Sequence, residues 1–284
     1  MQRADLHIHT TASDGVYTPS KVVLRAEEKG VQLLSVTDHD TLSGIAEAQK
    51  LSNERGIAFL PGVELSAGGE AEVHVLGYGV NEKDARLNTF LDEMRQERED
   101  RARRMLTLLE KLGMPLDADT LRTRPQDAIG RPKIARAMIE KGYVKSVQEA
   151  FERYLGNGCP AYVPRRRVPV SEAVSLLRSV KAVPVLAHPC QIKLPHAERM
   201  REVEKWLDAG LRGIEIYHPS MSSEDRSFWL SYAVRHNLLV TGGSDFHALF
   251  DKHADIGEMI PYWKNSSEDI ARLLDAVRTA GNNN

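Results

Sequence analysis

Short apolar runs alternate with longer amphipathic stretches along most of the chain, and no other feature restricts the fold as much. The runs at 4–8, 33–37, 57–65, 73–78, 183–187, 213–217 and 238–241 predict seven strands. The stretch between the first two reads as a helix with both ends marked. Thr18 can cap it, Pro19 suits its first turn, Val22, Val23 and Ala26 supply an apolar face, and Gly30 closes it. Residues 43–55, closed by Gly56, repeat the design, and 171–179, 197–209, 223–236 and 269–279 supply later helices. Strands separated by helices predict βα units around a mainly parallel sheet, an α/β fold.

The rhythm stops in the middle. From 99 to 167 no strand pattern is visible, only helical ones at 84–112, 131–141 and 147–155. This stretch carries fifteen Lys and Arg against nine Asp and Glu, whereas the whole chain has a formal charge of −2. The expected organisation is an acidic α/β body, residues 1–98 and 168–284, interrupted by a basic all-helical insert, residues 99–167. A net charge so near zero predicts no general attraction to nucleic acid or anionic membrane. No run approaches the ~18 apolar residues of a membrane span, and the N-terminus lacks the apolar stretch of a signal peptide. Two cysteines, Cys159 and Cys190, cannot staple 284 residues. A reducing, cytoplasmic location is therefore expected.

Residues of metal-ligand type recur where the apolar runs finish. His7 and His9, two apart on the first run, point to the same side of a strand and can converge on one ion. Asp14 follows in the loop. The second run ends in Thr37-Asp38-His39-Asp40 and the third in Gly62-Val63-Glu64. The fourth carries His74, the fifth ends in Ala187-His188-Pro189, and the seventh runs into Ser244-Asp245-Phe246-His247. One His-x-His pair would also suit a hydrogen-bonded strand edge. Six of the ten histidines and three carboxylates at strand ends go beyond coincidence, because in a barrel those ends converge on one face. Imidazole and carboxylate ligands without thiolate suit manganese, iron or zinc at a hydrolytic site. Asp38 and Asp40 fit two roles equally, orienting neighbouring ligands or capping the next helix. His218, at the end of the sixth run, fits either a proton donor to a leaving oxygen or an ordinary loop histidine. Cys190 has no evident base, which argues against a thiol mechanism.

These motifs, in this order over the whole chain, resemble the PHP (polymerase and histidinol phosphatase) family. The insert's Gly130-Arg131-Pro132-Lys133-Ile134-Ala135-Arg136, Tyr154-Leu155-Gly156 and Ala161-Tyr162-Val163-Pro164 resemble one branch. That branch contains nucleoside 3′,5′-bisphosphate phosphatases and RNase AM-type 5′→3′ exoribonucleases. The resemblance implies a distorted seven-stranded (β/α)7 barrel holding two to three divalent ions, manganese first, zinc or iron as alternatives. It implies a first ion on His7, His9, Glu64 and Asp245, a second on Asp14, His39 and His247, and a third on Glu64, His74 and His188. Asp14, His39 and Asp245 would then serve catalysis as well as binding. Three dications against three carboxylates and a hydroxide leave a residual charge near about +2, which attracts phosphate. The hydroxide, acidified by the ions, would attack phosphorus in line.

The expected reaction is hydrolysis of a phosphate monoester, foremost the 3′-phosphate of a nucleoside 3′,5′-bisphosphate such as pAp, giving AMP and phosphate. The branch adds 5′→3′ trimming of short RNA. Candidate substrate contacts are Arg131, Lys133 and Arg136 near a predicted helix start, then Tyr162, Arg165 and Lys193. A solvated basic surface is the plain alternative for the insert residues. Two positions depart from the branch, Lys133 where histidine is frequent and Cys190-Gln191 where Gly-Arg is usual. The competing functions are a phosphatase for another small ester such as histidinol phosphate, a metal-dependent amidohydrolase, and a non-catalytic PHP module that binds nucleic acid. No feature calls for an obligate protein partner or a membrane.

Overall fold

The computed structural model describes residues 3–68, 71–118, 121, 129–164, 168–249 and 254–282. Two compact units are present, Met1–Asn88 with Arg167–Asn284, and Thr89–Arg166. Among its described residues the first contains eight strands in two sheets. β1 (Ala4–Asp5), β2 (Leu33–Leu34) and β3 (Ala58–Phe59) form a parallel three-stranded sheet. β4 (Gly62–Gly68), β5 (Glu72–Tyr78), β6 (Val183–Leu186), β7 (Gly213–Tyr217) and β8 (Leu239–Gly242) form the other, in that order.

Each expected run contains a strand, with two differences. The third run is interrupted between Phe59 and Gly62, where Pro61 has no N–H to give to a ladder. The second sheet is mixed, because β4 and β5 pair antiparallel, as do β5 and β6, while β6, β7 and β8 are parallel. The two sheets are bonded at both margins. Leu6 N–H donates to Gly242 O at 3.2 Å and Asp245 N–H to His7 O at 2.8 Å. At the other margin His39 bridges to Glu64, and Asp40 N–H donates to Glu64 O at 2.9 Å.

Helix α1 (Pro19–Glu28) has the expected ends: the Thr18 side chain accepts from Lys21 N, and Gly30 follows at φ +68°. Its buried Val22, Val23 and Ala26 pack with Ile8, Leu34, Val36 and Phe246. α2 (Ile45–Glu54) starts from Gly44 with no side-chain cap. Neither Asp38 nor Asp40 caps it, so that alternative is set aside. α6 (Val170–Ser179), α7 (His196–Asp208), α8 (Ser223–Arg235) and α9 (Ser266–Asn282) are the later helices.

The second unit is all-helical among its described residues. α3 (Ala85–Lys111) brings the chain into it, followed by α4 (Arg131–Glu140) and α5 (Val147–Ala150). α5 continues as a π-turn, Phe151–Leu155, in which Gly156 N–H reaches Phe151 O at 2.8 Å. The unit has its own core, built from Met105, Leu109, Ile134, Met138 and Leu155 among others. Among the described residues no helix is long and apolar enough to cross a membrane.

Candidate metal centre

The side chains expected at strand ends meet in the first unit. His7 and His9, on the segment leaving β1, are fully buried, as is Glu64 of β4. His7 Nε2, His9 Nε2, Glu64 Oε2 and Asp245 Oδ1 are near neighbours. The two nitrogens are 3.1 Å apart, His7 lies 3.3 and 3.4 Å from Glu64 and Asp245, and His9 lies 3.1 and 3.2 Å from the same pair. The His7, His9 and Glu64 atoms form one group within 4.8 Å, with edges of the size that donors about 2.0 Å from a single tetrahedral ion would have. His9, Asp14, His39 and His247 form a second group whose ligand atoms lie within 4.8 Å of one another, with His247 Nε2 at 3.3 Å from Asp14 Oδ1. Around the other Glu64 oxygen, His74 Nδ1 lies at 3.0 Å and His188 Nε2 at 3.2 Å.

The donors fit divalent cations on a further count. Glu64 Oε2, His39 Nδ1 and His74 Nδ1 are buried without a hydrogen-bond partner, although Glu64 Oε2 and His39 Nδ1 are 3.0 Å apart. An unsatisfied buried polar atom costs about 1–3 kcal/mol, and a cation among these atoms removes the cost. The charge pattern agrees. Burial alone would raise the carboxyl groups of Asp14, Glu64 and Asp245, yet the surrounding imidazoles hold all three well below the carboxylate range. Burial alone would depress His9, but the Asp245 and Glu64 carboxylates beside it push it up to about 10; the charge of Glu64 does the same for His74. Burial keeps His39 and His188 below the ordinary histidine value. The site is a set of ionised carboxylates that draws positive charge to itself.

A supporting set holds these donors in place, and sequence reasoning missed its central member. Glu215, fully buried in β7, accepts from His7 Nδ1 at 3.0 Å and from the His188 backbone N–H at 2.9 Å. A lone carboxylate in the apolar run Gly213-Ile214-Glu215-Ile216-Tyr217 was the available signal. Asp38 ties down the loop that carries Asp14, accepting from Thr10 N and Oγ1 and from Ser13 Oγ, each at 2.7 Å. Asp40 accepts from Ser66 N at 2.9 Å. Asp5, also missed, accepts from Ser244 N and Gly257 N at 2.9 and 2.8 Å, while burial pushes its carboxyl up to about 6. Gly243 lets the end of β8 lie against His7, for a Cβ there would collide with the His7 backbone.

His218 Nδ1 accepts the Ser220 backbone N–H at 3.1 Å, so the proton of the neutral ring sits on Nε2, 3.2 Å from Asp245 Oδ2. Asp40, His188 and Asp245 all have positive φ, at 51°, 24° and 52°. Such strain in non-glycine residues gathers where a site must be held in one geometry. Burial raises the Cys190 thiol, and its neighbour is Ser220 Oγ at 3.0 Å, not a base.

The expected substrate residues belong to both units. Lys193 is exposed in the first unit. Arg131, Lys133 and Arg136 lie on α4 of the second unit, half-buried, with the Arg131 guanidinium 5.4 Å from the Phe151 ring centre. Tyr162, in the same unit, lies beneath Arg101, 5.9 Å from ring centre to guanidinium. Arg165 lies outside the described residues.

The sequence and the fold both have relatives. A 3′,5′-nucleoside bisphosphate phosphatase from Chromobacterium violaceum is 33% identical over 97% of this chain and 100% of its own length. A 5′-3′ exoribonuclease from Haemophilus influenzae is 30% identical, over 93% of this chain and 98% of its own. A solved structure described as an amidohydrolase from Chromobacterium violaceum, with bound sulfate and no metal, superposes with a TM-score of 0.82. Its identity is 35%, and 90% of each chain is covered. The PHP domain model matches residues 5–155. With strand-end histidines and carboxylates gathered into one buried centre, and with that match, the chain belongs to the PHP domain family.

Proposed function

We propose that this chain hydrolyses the 3′-phosphate of nucleoside 3′,5′-bisphosphates as a metal-dependent phosphoesterase. The observation that carries the reading is the convergence of six imidazoles and three carboxylates whose spacing and unpaired atoms suit divalent ions. His7, His9, Glu64 and Asp245 are assigned one ion, Asp14, His39 and His247 a second, and Glu64, His74 and His188 a third, with manganese the first choice. Ions bound there would acidify water at neutral pH and neutralise charge on phosphate oxygens.

The chain's own groups do the rest. Glu215 fixes the His7 tautomer from Nδ1, so that Nε2 offers its lone pair to the centre. His218 bonds Asp245 through its ring proton and acts as a positioning residue, a role its hydrogen bonds favour over proton donation to a leaving group. Asp38 fixes the Asp14 loop. The two sheets are read as one distorted seven-stranded barrel in which β3 and β4 are a single strand broken at Pro61.

Substrate choice rests on the nucleotide-directed relatives and on the basic second unit, whose Lys133, Arg136, Arg165 and Tyr162 are assigned, with Arg131 and Lys193, to the second phosphate and the base. Trimming of short RNA from its 5′ end is a second reading, favoured by the exoribonuclease relative. The free, half-buried thiols of Cys159 and Cys190 support a reducing, cytoplasmic setting. Phosphate release by the manganese-loaded protein from pAp, histidinol phosphate, an aryl phosphate and a 5′-phosphorylated oligoribonucleotide tests the assignment. Preference for pAp is expected, and preference for histidinol phosphate would overturn it.

A further inference from the structure

The opposite ends of β6, β7 and β8 border a cavity of about 600 Å³ that plays no part in the reaction above. It opens beside Val183 and Leu239, the first residues of β6 and β8, and beside Arg212, which precedes β7. His188 and Asp245 follow the other ends of β6 and β8, so at ~3.3 Å per residue the cavity is roughly 15–20 Å from the metal centre. Residues at this end of a barrel ordinarily serve stability. Here four cations line the opening, Arg178, Lys181, Arg212 and Arg272, all exposed. The single carboxylate of the lining, Asp275, is paired with Arg278 at 2.8 Å. The lining thus carries +3 in a chain of net −2. Its lining also includes the apolar residues Ala182, Pro184 and Leu239.

A second observation is independent of charge. Several helices close into a residue of left-handed conformation, where glycine is favoured because it has no Cβ. α1, α2, α3, α4 and α7 close into Gly30, Gly56, Gly113, Gly142 and Gly210. α6 and α8 close into Lys181, at φ +63°, and Asn237, at φ +50°; both residues line the cavity, and Lys181 Nζ donates to Gly281 O at 3.4 Å, one residue beyond the lining's Ala280. Asparagine tolerates that conformation, but lysine is disfavoured there. A lysine thus stands beside the cavity where backbone preference asks for glycine.

We infer that this cavity is a second binding site, for a nucleotide-sized molecule bearing two or more phosphate groups. The volume lies in the range of ligand pockets of ~300–1,000 Å³ and far exceeds inorganic phosphate. Arginine forks suit phosphate oxygens, and the apolar residues of the lining suit an uncharged ring.

Adenosine 5′-diphosphate serves as the probe, titrated calorimetrically into the manganese-loaded protein. The Arg212→Glu/Arg272→Glu double variant is expected to lose one binding event, weakened at least about tenfold, while pAp turnover stays within about twofold. An isotherm identical to wild type would overturn the site. Lys181→Gly gives an opposed pair of readouts, weaker probe binding with a thermal midpoint equal to or above wild type. Unchanged binding together with a lower midpoint would make Lys181 structural and contradict the inference. A 5′-phosphorylated oligoribonucleotide is the control. If the double variant loses that ligand and keeps the diphosphate, the site is a nucleic-acid surface and the small-molecule assignment falls.

Discussion

The metal centre of the first unit and the basic helices of the second differ in how their residues are held. In the centre, four of the donors are held by another buried group: His7 and the His188 backbone by Glu215, Asp245 by His218, and the loop of Asp14 by Asp38. In the second unit Arg131, Lys133 and Arg136 are half-buried on one short helix, with the Arg131 guanidinium 5.4 Å from the Phe151 ring centre. The difference teaches how the proposed function would divide the labour. On that proposal, interlocked buried charges fix what reaction is possible, and the half-buried cations of the second unit decide which phosphate ester is taken.

The largest expected effects fall on the locked set. His9→Ala and Asp245→Asn should each lower turnover by about a thousandfold or more while the circular dichroism spectrum keeps its native shape. Near wild-type turnover in either variant would dissolve the contrast. Glu215→Gln keeps shape and volume but weakens the hold on His7, so metal affinity should fall about 10–100-fold. Titration of the metal-free variant with manganese reads this directly, and unchanged affinity would reduce Glu215 to a buried polar residue of the core.

On the selective side, Arg136→Ala should lower kcat/KM for a nucleoside 3′,5′-bisphosphate by about 10–100-fold, the loss of one charge-assisted contact. An aryl phosphate, lacking the second anion, should be hydrolysed almost as before. Equal losses on both substrates would mean that Arg136 supports the fold, and the two-region account would lose its second half. Smallest of all is Cys190→Ser. Because burial raises that thiol, little thiolate is present at neutral pH, and activity should change less than about twofold. Complete loss in a folded variant would reopen a covalent route.

The same contrast governs what could be read from the sequence. Strand periodicity put His7 and His9 on one side, and apolar runs ending in His39, Glu64, His188 and Asp245 brought the donors together before any coordinates. Thr18, Pro19 and Gly30 marked α1 because caps and closers act locally. Strand direction was not in the apolar pattern, since antiparallel and parallel strands share it. The short link between β4 and β5 did hold a signal, because parallel strands need a crossover of a dozen residues or more. Glu215 and Asp5 went unread because a single acid inside an apolar run gains its meaning only from partners far away in sequence, His7 and His188 for one, Ser244 and Gly257 for the other. The proposed substrate contacts are the least legible, for arginines and lysines follow no ligand-spacing rule.

One measurement tests the centre most directly: elemental analysis of the purified protein, paired with phosphate release from pAp before chelation, after chelation and after manganese is restored. Bound divalent metal of about two to three equivalents per chain, activity abolished by chelation and activity regained with manganese are the predicted results. Less than about one equivalent, with no gain on reconstitution, would contradict the account, whatever the arrangement of the histidines.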